Sequence, residues 1–93
     1  MAVEIRIPHR LALEEAAARI VALAGDHDVG LVPDPDGRGG SIEKATPVGA
    51  VHGRYVVEGD AVVVTIEKKP AFLPEATVRR VLEENLRAAL AGE

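Results

Sequence analysis

The sequence predicts a single α+β domain in the order β-α-β4-α, an antiparallel curved sheet carrying two helices on one face. Three observations predict it. A period-2 run opens the chain, two helical-period stripes enclose a strand-rich middle, and glycine or proline stands at most changes of period. Ninety-three residues suit one core, so residues 1–93 are read as one domain.

Val3, Ile5 and Ile7 alternate with Glu4 and Arg6, the pattern of a half-buried strand, and Pro8 closes it because proline has no N–H for a ladder. From Leu13 the period changes. Leu13, Ala16, Ala17, Ile20, Leu23 and Ala24 fall on one helical face, and Glu15 and Arg19 form an i, i+4 pair in the favourable order. Gly25 is read as the residue that ends this helix with positive φ. Asp26-His27-Asp28 then reads as a turn and residues 29–32 as a short strand. Pro33 to Gly40 is dense in turn formers and is expected to be a mobile loop over about 33–40. Ser41 to Thr46 follows as a weak strand with Ile42 its only large aliphatic residue.

Regularity returns at Val51. Val51, Tyr55 and Val57 share one face, Glu58-Gly59-Asp60 makes a tight connection, and Ala61 to Lys68 is rich in β-branched residues, so the pair reads as a hairpin. Pro74 suits the first position of a last helix, whose stripe is Val78, Val81, Leu82, Leu86, Ala89 and Leu90. An antiparallel sheet with both helices on one face is the simplest way to bury these stripes.

Composition narrows function. There is no cysteine, hence no disulfide, thiolate nucleophile or zinc–thiolate site. Eleven basic residues against fifteen acidic ones give a net charge of −4, which disfavours nucleic acid as a partner. Apolar runs are far shorter than the ~20 residues of a membrane span. The first residues lack the basic start and apolar core of a signal peptide, so a cytoplasmic protein is expected.

Chemistry-bearing residues are sparse. His9, His27 and His52 lie on separate elements, without the spacing that sets two imidazoles on one helix face. Asp26-His27-Asp28 and Asp34-Pro35-Asp36-Gly37 have metal-binding residue types but lack the remaining ligands, and Gly37-Arg38-Gly39-Gly40 lacks the helix that a phosphate loop requires. No catalytic residue, metal site or cofactor is therefore expected. The sheet face away from the helices is the candidate interaction surface, with Arg54, Val56, Val63 and Thr65 upon it. Phe72 and Tyr55 are the only aromatic anchors available for recognition.

Two stretches carry a resemblance. Ile7-Pro8-His9-Arg10-Leu11-Ala12-Leu13-Glu14-Glu15-Ala16 with Arg19, and Ala50-Val51-His52-Gly53-Arg54 through Phe72-Leu73-Pro74 into the last helix, resemble the bacterial polyhydroxyalkanoic acid system (granule-region) family. His9, Leu11, Glu15 and Arg19 match its turn-and-helix motif. Ala50 departs from it, standing where the family usually has a glycine, and Val29 to Pro47 resembles little of it. The resemblance implies a non-enzymatic accessory protein associated with polyester storage, and it brings no catalytic residues. The chain order also resembles the TATA-binding-protein fold, in topology alone. The expected partner is a protein, a polyester granule surface or a second copy of the chain. The alternative is a small-ligand-binding domain with a cavity between sheet and helices. An enzyme would require His9 or His52 to meet a carboxylate in a cleft.

Overall fold

Val3, Ile5 and Ile7 are buried and Glu4, Arg6 and Pro8 exposed, so the first strand, β1 (Val3–Pro8), has the alternation that its sequence sets. In the computed structural model, which describes residues 3–47 and 49–91, β1 is followed by α1 (Leu13–Asp26), β2 (Gly30–Pro33), β3 (Gly39–Thr46), β4 (Gly49–Val57), β5 (Ala61–Lys68) and α2 (Glu75–Ala89). The strands form one antiparallel sheet in the order β1-β5-β4-β3-β2. This is the α+β architecture read from the sequence.

Consecutive strands β2 to β5 form a meander. The chain returns by way of α1, which lets β1 pair with β5 from Val3↔Ile66 to Pro8↔Ala61. Both helices lie over one face. Ala16 and Ile20 of α1 and Val78 and Leu86 of α2 close on Ile5, Ile7, Tyr55, Val57, Val62, Val64 and Ile66 in one core cluster. The radius of gyration is 12.5 Å, near the ~12 Å that a chain of this length needs as one packed unit.

Three boundaries differ from the sequence reading, each for a local reason. Gly25 lies inside α1; the helix ends two residues later in a Schellman arrangement, with His27 as C-cap and Asp28 taking φ 59°. There the Val29 N–H donates to the Ala24 carbonyl at 2.8 Å and the Asp28 N–H to the Gly25 carbonyl at 3.5 Å. Pro74 is the N-cap of α2, one residue before the helix, with ψ 141°. The turn-rich stretch read as a loop over 33–40 narrows to residues 34–38. Pro33 pairs with Gly40, and Gly39 with Val56, inside the sheet. These two glycines serve close packing: a Cβ at Gly39 would lie 2.4 Å from the Tyr55 carbonyl oxygen, and one at Gly40 2.4 Å from that of Val32.

Candidate functional site

α2 packs against β1, whereas α1 packs against β2 and β4. The helices meet near the C-terminal end of α2, where Arg19 donates from Nη1 to the Ala89 carbonyl at 3.1 Å. The N-terminal half of α2 borders an open groove over the β3–β5 end of the sheet. Its volume is about 330 Å³. Ile42, Val51 and Ile66 form the floor and Thr77, Val78, Val81, Leu82 and Asn85 of α2 one wall. His27 and Val29, after α1, also line it, as does Leu73 ahead of α2. A narrower extension of about 80 Å³ continues past His27, Val29, Ile42 and Leu82 to Leu23 and Tyr55.

The groove is open because the chain has little with which to fill it. Valines and leucines line it, and the two aromatic side chains are used elsewhere. Tyr55 is buried in the core over Gly40, while Phe72 is 84% exposed in the segment before α2. Of the two aromatic anchors read from the sequence, Phe72 alone is therefore free for recognition. Burial, and secondarily the negative charge of Asp34, raises the Tyr55 hydroxyl pKa above its ordinary value. Val81 belongs to the stripe read as core, but it is 46% exposed in the groove wall.

Glu43, Lys44 and Thr46 of β3 also line the groove. Strand alternation directs Gly40, Ile42 and Lys44 to the helix side, and Ser41 and Glu43 to the other. The Lys44 Nζ donates to the His27 carbonyl at 2.7 Å, so an ammonium sits at the C-terminal end of α1, where the helix dipole favours a cation. At the Leu73 end, Lys69 Nζ donates to the Leu73 carbonyl at 2.8 Å.

The residues assigned to the opposite face come together there. Val56 stands across from Val63, and Arg54 from Thr65. Val56 is 46% exposed, and Arg54 is held by Asp34 at 2.8 Å. Arg6 on the same face pairs with Glu58 at 2.8 Å and Asp60 at 3.4 Å. The face thus mixes two valines with charges, of which Arg54 and Arg6 are paired.

The motif residues hold turns and helices together. His9 is 7% exposed. Its Nε2 lies 2.9 Å from the Glu58 carbonyl, and its Nδ1 accepts the Leu11 N–H at 3.1 Å, which makes Nε2 the protonated nitrogen of a neutral ring. Leu11 packs against the core. Glu15 and Arg19 pair at 2.9 Å along α1, while Arg19 also reaches α2. His9 thus meets a backbone carbonyl where chemistry would need a carboxylate. His52 stands 3.9 Å from Glu43 Oε2, beyond hydrogen-bond reach, with both side chains largely exposed.

Among the described residues no group of three His, Asp or Glu side chains gathers as a metal site would require, and no helix is long and apolar enough to cross a membrane. No family model, curated protein or solved structure matches the chain. The likeness to granule-region proteins therefore rests on the motifs quoted above.

The sequence reading named a sheet–helix cavity without naming its walls. The available signals were weak: Val81 beside the polar Thr77 and Asn85 on α2, and Lys44 in step with Ile42 on β3.

Proposed function

We propose that this protein is a non-enzymatic binding module, of the accessory kind implied by the granule-region resemblance, and that its working part is the groove beside α2. Its guest is an aliphatic chain. One observation carries this reading: an open groove of about 330 Å³ whose lining is mostly aliphatic, from Val29, Ile42, Val51, Ile66, Val78 and Val81. That volume lies at the lower end of the roughly 300–1,000 Å³ typical of small-molecule sites. A free aliphatic ligand and the alkyl groups of a polyester surface offer the groove the same chemistry.

Calorimetric titration with 1-octanol and co-sedimentation with polyester granules separate the two sources. Octanol saturating one site supports a free ligand; sedimentation without octanol binding supports the granule surface. Val81→Glu puts a charge in the wall at a position exposed enough to tolerate it, and should weaken either interaction at least about tenfold. Val56→Glu, on the far face, should leave both unchanged. Failure of both ligands, or equal effects of the two substitutions, overturns the proposal.

A second reading follows from Val56, exposed beside Val63 on the open face. There Arg54, Val56, Val63 and Thr65 would receive a partner protein or a second copy. Loss of partner binding in Val56→Glu alone would favour that reading.

A further inference from the structure

The lining is mostly aliphatic, yet the Lys44 ammonium stands in it, held by the His27 carbonyl, whereas Lys69, outside the lining, is held by the Leu73 carbonyl. This is notable in a chain of net charge −4. Lys44 is the more telling of the two. It lines the groove itself, on the helix side of β3, where a strand normally places an apolar residue. An ammonium has three N–H donors, and the His27 carbonyl takes one of them. Glu43, the neighbour of Lys44 on β3, also contributes to the lining, but strand alternation directs its side chain to the opposite face, where its carboxylate stands 3.9 Å from His52.

Resting on the groove reading above, we infer that the guest is an aliphatic carboxylate, its tail between α2 and the sheet and its head group on Lys44. An aliphatic tail matches the floor formed by Val51 and Ile66 and the wall formed by Val78 and Val81. A carboxylate accepts the free donors of Lys44 and brings the opposite charge, a charge-assisted contact that an alcohol does not make. If each heavy atom takes about the ~30 Å³ of a water, the groove holds a chain of roughly eight to ten carbons with its head group. Octanoate is therefore the probe.

The test compares octanoate with 1-octanol on the full chain by calorimetry, in wild type, Lys44→Met, Lys44→Arg and Lys69→Met. Lys44→Met should weaken octanoate about three- to fivefold, the range of a partly exposed ion pair, and leave octanol within about twofold. Lys44→Arg should retain octanoate binding, and Lys69→Met should change little. Wild-type affinity for octanoate, unlike that for octanol, should fall with added salt. The Lys44 ε-methylene NMR signal should shift with octanoate and not with octanol, a readout that needs no variant. Octanol binding without octanoate binding overturns the head-group assignment and leaves the groove reading standing. So does an equal loss of both ligands in Lys44→Met, which would mark the lysine as a cap for α1 only. Binding of neither ligand overturns the carboxylate proposal, and the groove reading with it where granules also fail to sediment the protein.

Discussion

His9 uses both ring nitrogens on backbone groups, so its removal leaves the Glu58 carbonyl and the Leu11 N–H without those partners. His9→Ala is expected to cost about 2–3 kcal/mol, seen as a lower urea midpoint at unchanged slope. An unshifted midpoint would contradict the role given to this ring. Tyr55 gives a pH signature. Its pKa is raised in the fold by burial and then by Asp34, so the unfolded chain ionises first as pH rises past about 10. The stability it contributes is complete below that pH and is lost as pH rises through the folded value. Urea midpoints should fall along this alkaline limb, more steeply in wild type than in Tyr55→Phe. The sequence shows that His9 sits at a strand-to-helix turn. It does not show the partner at Glu58, because that contact spans 49 positions and depends on how β1 lies beside β5.

At the level of elements, α1 ends where Asp28 accepts a left-handed backbone and Gly25 remains helical. Asp28→Gly should therefore stabilise by about 0.5–1 kcal/mol. Gly25→Ala should add about 0.5 kcal/mol, since nothing lies within 4 Å of the new methyl. Thermal unfolding checks both, and a loss of stability in either would contradict this account of the helix end. Gly40→Ala has the opposite sign, because its Cβ would meet the Val32 carbonyl oxygen at 2.4 Å and the Tyr55 ring at 3.0 Å; about 1–3 kcal/mol should be lost. Periodicity made the elements legible. β1, β5 and the helix stripes are local patterns, and each stands where its period puts it. The ends were less legible, since glycine marks a positive φ, a close approach or an ordinary helical position with the same letter. Gly25 and Gly39 illustrate two of those uses.

The groove belongs to the whole molecule. No single stretch encodes it, because it arises where the N-terminal half of α2 borders the β3–β5 end of the sheet and no aromatic side chain fills the space. Val81 has the same helical phase as a core residue, and only the placement of α2 makes it a wall. Lys44 faces the groove through the register of β3 with β4, in the part of the chain whose hydrophobic pattern is weakest. Composition did foreshadow the result: an aromatic-poor chain must pack with valine, leucine and alanine, and such a core leaves room where elements diverge. The open face, in contrast, was legible from alternation alone, because Val56 and Val63 are adjacent across two strands that pair as a hairpin.

The most direct test of the groove as the working part is a methyl NMR titration of the intact protein with 1-octanol. The account predicts saturable shifts at Val51, Ile66, Leu73, Val78 and Val81, with Val56 and Val63 unmoved. Shifts centred on Val56 and Val63 would contradict it, as would no shifts from a protein that also fails to co-sediment with polyester granules.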